Sequence, residues 1–147
     1  MRWIPCSTVP LDTAESLDRV AGSATGHLAT IRPDGRPHLV VITFAVAGGL
    51  VVTAIDDKPK TTQRLQRLAN IEANPAVSFL VDHYDDDWEE LWWVRVDGLA
   101  SIHLDGETRE MAIEALRVKY RQYRERPPRG PVIVITPERV SSWASNG

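Results

Sequence analysis

The sequence contains one cysteine, Cys6, among 147 residues. A single thiol cannot form a disulfide within the chain. This favours a protein of a reducing compartment. The length suits one domain and is short for two. Because 43% of the residues are apolar, the chain can bury a core without bridges or a metal. We therefore expect one cytoplasmic domain over residues 1–147.

An excess of positive charge is also missing. The chain has 17 basic and 20 acidic residues, which gives a net charge of −3 at pH 7. Proteins whose main partner is nucleic acid or an anionic membrane usually carry a basic surface. The charge balance therefore predicts that neither is a partner.

No apolar run has the usual length of a transmembrane helix. An uncharged, largely apolar stretch at residues 39–55 stands at the lower limit of length for a spanning helix. It is rich in β-branched residues and is interrupted by Gly48-Gly49. Two buried strands joined by a tight turn explain all of these features. We therefore interpret residues 39–55 as strands and a hairpin instead of a membrane helix.

Familiar catalytic and metal-binding motifs are absent as well. The sequence has no nucleophile elbow, no P-loop, no dinucleotide fingerprint and no paired-cysteine zinc spacing. Its four histidines occur singly. Residues 82–87 are rich in carboxylates, but they lack the glycine and closing glutamate of an EF-hand, so a solvated acidic loop is the better interpretation. We therefore predict no catalytic side chain and no metal site.

Hydrophobic periodicity and turn signals predict the element order α-β-β-β-α-β-β-α-β-β. Successive strands joined by hairpins imply an antiparallel sheet, and six or seven strands in so short a chain favour closure into a barrel. The expected fold is mostly β, of the α+β class, with Gly98 as a candidate bulge. We expect helices near 13–22, 62–72 and from 107 to before 127, and strands near 26–32, 38–46, 50–55, 76–83, 92–104, 132–136 and 139–144.

The clearest positive signal is the segment Lys58-Pro59-Lys60-Thr61, just before the second predicted helix. Two ammonium groups flank a rigid proline, and the free N–H groups of a helix N-terminus favour anions. Threonine hydroxyls add further donors. The segment indicates an anion site, most naturally for a phosphate, although an ordinary solvated basic loop also explains it.

A second signal is aromatic, because Trp88, Trp92 and Trp93 lie close together. Strand alternation places Trp92 on one face with the valines that follow it, and Trp93 on the other face beside Arg95. We interpret Trp92 as a core or interface residue. Trp88 lies in a loop, where an indole can cover a planar ring.

Three stretches together resemble the pyridoxamine-phosphate-oxidase-like split barrels. The run GHLAT at 26–30, followed by DGRP at 34–37, is similar to the opening hairpin of that fold. The pair Lys60-Thr61 before a helix is similar to its deazaflavin branch. The stretch DHYDDDWEELWWVRVDG at 82–98 resembles F-420-dependent oxidoreductases of the B type.

The resemblance implies a homodimer of split β-barrels, each with six to seven strands and about three helices, with two cofactor sites at the interface. It implies that the cofactor phosphate lies against the Lys58–Thr61 loop, with the two lysines as salt-bridging groups. It also implies that residues 53–55 border the ring and its linker. Together with Trp88 of the loop, the predicted cofactor-binding residues are Thr53, Ala54, Ile55, Lys58, Pro59, Lys60, Thr61 and Trp88.

The function implied is an oxidoreductase that transfers hydride from the reduced deazaflavin coenzyme F-420 to a small planar or unsaturated substrate. The cofactor performs this chemistry, so the lack of a catalytic triad is expected. Two alternatives remain open. One keeps the fold and uses FMN, and the other is a carrier that binds deazaflavin or heme without turnover. Heme would require an axial ligand such as His27, His38 or His83.

Overall fold

The computed structural model describes residues 13–55 and 62–145. Within them the chain forms one seven-stranded sheet and four α-helices, and one 3₁₀ turn, Trp88–Glu90, lies between β5 and β6. The elements are α1 (Thr13–Ala21), β1 (Gly26–Ile31), β2 (Pro37–Ile42), β3 (Ala45–Ala47), β4 (Leu50–Ala54), α2 (Thr62–Ala73), β5 (Ala76–His83), β6 (Trp92–His103), α3 (Gly106–Lys119), α4 (Arg121–Glu125) and β7 (Val132–Ala144).

The strand order in the sheet is β2-β1-β5-β6-β7-β4-β3, and every neighbouring pair is antiparallel. The sheet curls into a half-barrel. β6 and β7 pair along their whole length, from Trp92 opposite Ala144 to His103 opposite Val132. The predicted mostly-β, α+β split barrel is therefore confirmed, with four helices in the described residues where three were expected.

The uncharged stretch 39–55 supplies most of β2 and the β3–β4 hairpin. Gly48 and Gly49 form the turn with φ angles of 57° and 77°. This left-handed conformation is the one that a tight hairpin turn requires and that glycine adopts without strain. The interpretation as strands is confirmed. Across residues 13–55 and 62–145, no helix has the length and hydropathy needed to cross a membrane.

The single strand expected near 38–46 is wrong, because two residues between β2 and β3 leave the ladder. Side chains satisfy their backbone groups instead of a neighbouring strand. The Thr53 hydroxyl donates to the Thr43 carbonyl at 2.7 Å, and the Tyr120 hydroxyl accepts a hydrogen bond from the Phe44 N–H at 3.0 Å. Hydrogen bonds from distant parts of the chain therefore set this break.

The third predicted helix is likewise two helices, α3 and α4, which are separated by Tyr120. This residue has an extended backbone, with φ −115° and ψ 123°. Its hydroxyl donates to the Ala24 carbonyl at 2.6 Å, which ties the helix pair to the chain just before β1. The helical periodicity continues through Tyr120, so the pattern alone gave no sign of the break.

The two short strands expected at the C-terminus are one strand, β7. Its register with β6 shifts between Asp97 and Gly98, which leaves Glu138 without a counterpart. A Cβ at position 98 would overlap the carbonyl oxygen of Thr136, so only glycine permits this close approach. The predicted bulge at Gly98 is confirmed, and the extra residue belongs to β7.

The inner face of the half-barrel carries the main core. The rings of Phe44 and Phe79 meet edge to face with centroids 4.7 Å apart. Val94 and Val96 are fully buried there, and Trp92 packs against the same cluster, which confirms its predicted place in the core. α3 covers the outer face of β4 and β7 with a second apolar cluster.

Candidate functional site

The candidate cofactor site begins at the end of β4, where Thr53, Ala54 and Ile55 lie. All three side chains are buried. The Thr53 hydroxyl is used by its bond to the Thr43 carbonyl, while Ala54 packs under α3 and Ile55 packs in the main core. These three side chains are therefore not available to a bound molecule, which would contact the backbone at this end of β4.

The backbone at this end of β4 is open on one side. The β3–β4 ladder ends at Ala45 opposite Val52, so within the described residues Thr53 and Ala54 pair only with β7. Unpaired strand edges present N–H and C=O groups to a ligand. The geometry thus leaves polar backbone groups available next to the predicted cofactor segment.

The strand end is held in place by the segment before β7. The Ile55 N–H donates to the Pro131 carbonyl at 2.9 Å. The guanidinium of Arg109 on α3 donates to the carbonyls of Pro128 and Gly130 at 3.2 and 3.1 Å. The sequence pattern did not single out Arg109, because nothing in its spacing shows that it reaches a loop about twenty residues further on.

The helix α2, which follows the Lys58–Thr61 segment in sequence, is docked by a buried polar contact. Asn70 is fully buried, and its amide donates to the Thr30 hydroxyl at 3.0 Å and accepts from Gln66 at 2.7 Å. A satisfied buried pair of this kind fixes orientation as well as depth. Lys58, Pro59, Lys60 and Thr61 themselves lie outside the described residues.

An open, largely apolar cavity of about 400 Å³ lies between α2 and the second half of β6. It adjoins the end of β4, because Pro131 both lines the cavity and accepts the hydrogen bond from Ile55. Its size is that of a small-molecule site. The sequence gave no signal for it, since its walls come from separate elements. The lining residues are Leu68, Ile71, Glu72, Ala100, Ser101, Ile102, Leu104 and Pro131.

Trp88 lies at the opposite end of the molecule from residues 53–55. It belongs to the 3₁₀ turn before β6 and is 52% exposed. The end of β4 connects through β7 to His103, the last residue of β6. The 12 residues of β6 amount to roughly 35–40 Å of extended strand. Within one chain the structure therefore does not bring Trp88 to Thr53, Ala54 and Ile55.

A second cavity, of about 240 Å³, surrounds Trp88. Trp93 faces outward near it, and the Arg95 guanidinium lies 5.9 Å from the Trp93 ring centroid, so the predicted pairing of these two residues on one face is confirmed. In the part of the chain that the structure describes, no group of three or more His, Cys, Asp or Glu residues is placed to hold a metal ion.

The half-buried side chain of Lys119 lies beside the link between β2 and β3, with its Nζ shielded from solvent. The Nζ of Lys119, at the end of α3, is 3.7 Å from the ring centroid of Phe44 and 5.2 Å from that of Tyr120. Burial lowers the pKa of Lys119 from 10.5 to about 8, because removing an ammonium group from water disfavours its charged form. Burial also raises the pKa of Tyr120.

Comparison with known proteins decides the family. Residues 13–144 match the family model for pyridoxamine 5'-phosphate oxidase. The chain belongs to this family. The split-barrel resemblance drawn from the sequence is therefore confirmed at the level of the pyridoxamine 5'-phosphate oxidase family, and its deazaflavin branch remains a prediction. A search of curated protein sequences found no match to this chain.

Solved structures agree with the pyridoxamine 5'-phosphate oxidase fold. A conserved hypothetical protein from Mycobacterium tuberculosis is 28% identical, with a TM-score of 0.76 over 92% of this chain and 86% of that one. A FAD-binding protein from Mesorhizobium loti is 21% identical, with a TM-score of 0.70 over 91% and 95% of the two chains. A heme-binding protein from Mycobacterium smegmatis is 19% identical, with a TM-score of 0.69 over 94% and 60%.

The lowered pKa of Lys119 predicts a pH-dependent stability. Between pH 8 and 10.5 the unfolded chain binds a proton at this lysine that the folded chain has released, so the free energy of unfolding rises with pH. Replacing Lys119 by Met removes this dependence. We compare the free energy of unfolding of Lys119→Met with that of the parent. This difference is expected to be about 1–2 kcal/mol more favourable to the variant at pH 7 than at pH 10. The range is reduced because the lysine side chain is only half buried.

Urea denaturation of parent and variant at pH 7, 8.5 and 10 measures this difference. Arg121→Met is the control, because it removes an exposed cation that does not titrate. If the difference in free energy of unfolding between Lys119→Met and the parent stays constant from pH 7 to pH 10, the lowered pKa of Lys119 is contradicted.

Proposed function

We propose that this protein is an oxidoreductase that binds a flavin-type coenzyme where β4 meets α2, with F-420 as the first choice and FMN as the alternative. One observation carries the proposal. The residue that follows β4, Ile55, is hydrogen-bonded to Pro131, which lines an apolar cavity of about 400 Å³, and the basic segment Lys58–Thr61 comes next in sequence. Membership of the pyridoxamine 5'-phosphate oxidase family supports this choice.

The residues present suit such a coenzyme. Lys58 and Lys60 offer charge-assisted hydrogen bonds to a phosphate, and Thr61 adds a hydroxyl donor. These residues lead directly into α2, whose N-terminal end carries partial positive charge. The apolar walls of the adjoining cavity suit a planar ring. Both F-420 and FMN combine a phosphate with a flat ring, which is why the two remain the leading candidates.

The protein's own contribution is binding and orientation. The coenzyme, when bound, supplies the hydride chemistry. The backbone of Ala54 offers hydrogen-bonding groups along the open edge of β4, while Thr53 and Ile55 face β7 and Pro131. Apolar residues of α2 and β6 keep water away from one side of the cavity. We assign no side chain of this chain to proton transfer.

The heme alternative receives less support from the side-chain positions. His38 is buried on β2, and burial together with Arg32 and Arg67 lowers its pKa. His27 lies 3.9 Å from Asp82, at the Trp88 end of the molecule, and His83 lines the cavity there. None of these three histidines lines the 400 Å³ cavity, so we prefer the flavin-type coenzymes.

We also propose that the chain forms a two-fold homodimer through the outer face of β2, β1, β5 and β6. α3 packs mainly on the other strands, β3, β4 and β7. Leu39 and Val41 are 67% and 63% exposed on β2, and Leu99 is exposed on β6. Uncovered apolar surface of this kind favours self-association. Trp88 would reach a coenzyme beside β4 only from a second copy of the chain.

The dimer is tested by sedimentation of the parent and of two matched variants. Val41→Lys places a charge in the proposed interface and is expected to shift the protein towards the monomer at micromolar concentration. Val118→Lys is the control, because Val118 is 70% exposed on α3, outside the proposed face. It is expected to leave the dimer intact. A parent protein that sediments as a stable monomer would rule the dimer out.

The anion site is tested by replacing its two lysines separately. A charge-assisted hydrogen bond contributes about 1.5–3 kcal/mol, so Lys60→Ala is expected to weaken F-420 binding at least tenfold. We expect Lys58→Ala to cost less and its effect to fade at high salt, because an exposed charge is screened. Binding is followed by fluorescence titration.

Arg121→Ala serves as the matched control, since it removes an exposed cation on α4. All three variants are expected to keep the melting temperature of the protein without ligand. If Lys60→Ala binds F-420 as tightly as the parent does, the segment is an ordinary solvated loop.

A further inference from the structure

The tip of the β1–β2 hairpin places two positive charges opposite each other. The Arg32 N–H donates to the Arg36 carbonyl at 2.8 Å, so these residues continue the register in which Ile31 lies opposite Pro37. Both arginine side chains are exposed. Like charges that lie directly opposite each other in a strand pair destabilise it. A bound anion would remove this repulsion.

The carboxylate of the turn does not neutralise the two arginines. Asp34 accepts a hydrogen bond from the Arg36 N–H at 3.0 Å, and this contact stabilises the turn. Within residues 13–55 and 62–145, neither Arg32 nor Arg36 forms a salt bridge. One carboxylate against two guanidinium groups leaves the tip of the hairpin with a net positive charge.

The helix α2 brings a third guanidinium group to the same place. Asn70 of α2 donates to the Thr30 hydroxyl at 3.0 Å, and Thr30 lies opposite His38 in the hairpin. Arg67 lies three residues before Asn70, on the same face of the helix. Burial lowers the pKa of His38, and the charges of Arg32 and Arg67 lower it further, as expected for cations close to this ring.

His38 adds a buried polar atom to this group of cations. Its side chain is 7% exposed, and within the described residues its Nδ1 has no hydrogen-bond partner. Strand alternation places His38 on the same face as Arg36, and Thr30 on the same face as Arg32. A neutral imidazole protonated on Nδ1 can donate a hydrogen bond to an anion. The basic cluster therefore consists of Arg32, Arg36, His38 and Arg67.

The basic cluster follows the proposed phosphate site along α2. The segment Lys58–Thr61 leads into α2, which begins at Thr62, and Arg67 lies roughly 7–8 Å further along the helix axis. F-420 carries a chain of glutamates beyond its phosphodiester, whereas FMN ends at its phosphate. A guanidinium group binds a carboxylate through two parallel hydrogen bonds. The basic cluster thus suits the part of F-420 that FMN lacks.

We propose that the basic cluster binds the glutamate tail of the coenzyme and thereby selects F-420 over FMN. This inference rests on the proposed function. Arg32 and Arg36 bind carboxylates of the tail, which also removes the repulsion between the two guanidinium groups. The ring and the phosphate are bound elsewhere, so the two arginines affect only a coenzyme that carries a tail.

The test titrates the full-length protein with three probes and follows binding by fluorescence. The probes are F-420, the form of F-420 that lacks glutamates and ends in phospholactate, and FMN. The parent is expected to bind F-420 at least tenfold more tightly than the form without glutamates. This ratio is expected to shrink at high salt, because exposed charges are screened. Equal affinity for these two forms would overturn the inference and leave the proposed function standing.

A variant that combines Arg32→Gln with Arg36→Gln assigns the effect to the hairpin tip. It is expected to reduce the ratio to less than threefold, with unchanged affinity for FMN and for the form without glutamates. Arg121→Gln is the matched control, because it removes an exposed cation on α4, and it should keep the ratio of the parent. Because Arg32 and Arg36 are exposed, the combined variant should keep the melting temperature of the parent without ligand.

The remaining outcomes separate this inference from the proposed function. A combined variant that keeps the full preference of the parent for the glutamate tail would overturn the inference. Binding of FMN without binding of F-420 would also overturn it, and the proposed function would stand with FMN as the coenzyme. Binding of none of the three probes would refute the proposed function and the inference together.

Discussion

The close backbone approach at Gly98 is the constraint on which the rest of the architecture depends. A Cβ there would overlap the carbonyl oxygen of Thr136, so the longest pair of strands in the sheet can meet only with glycine at this point. The register shift leaves Glu138 as an extra residue on β7. An extra residue bends the strand and increases its twist. β6 pairs on both sides, with β5 and β7, so this bend shapes the centre of the half-barrel.

Much of this fold follows from local sequence patterns, and the remainder follows from distant hydrogen bonds. The Gly48-Gly49 turn, the bounds of β5 and the bulge at Gly98 each have a nearby cause in turn chemistry or alternation, and all were predicted. The break between β2 and β3 was not, because it depends on bonds from Thr53 and Tyr120 to the intervening backbone. No local pattern identifies such a partner.

The candidate site, too, was predictable only in part from local sequence patterns. Residue types and order indicate an anion site at Lys58–Thr61, before a helix, and a cluster of tryptophans. The apolar cavity beside β4 was not foreseen, because α2 and β6 line it together and only the tertiary fold brings them close. Sequence spacing likewise gave no sign that Trp88 and Ile55 lie at opposite ends of the long β6–β7 strand pair. Within one chain, that separation removes Trp88 from the proposed coenzyme site beside β4.

The central claim is that the β4 end of the sheet holds a flavin-type coenzyme. Parallel titrations of the purified protein with F-420, FMN and heme, followed by absorbance and fluorescence, test it most directly. The account predicts saturable binding of F-420, displacement of F-420 by FMN, and no shift in the heme spectrum that would signal histidine ligation. A ligated heme spectrum without binding of either flavin-type coenzyme would contradict it.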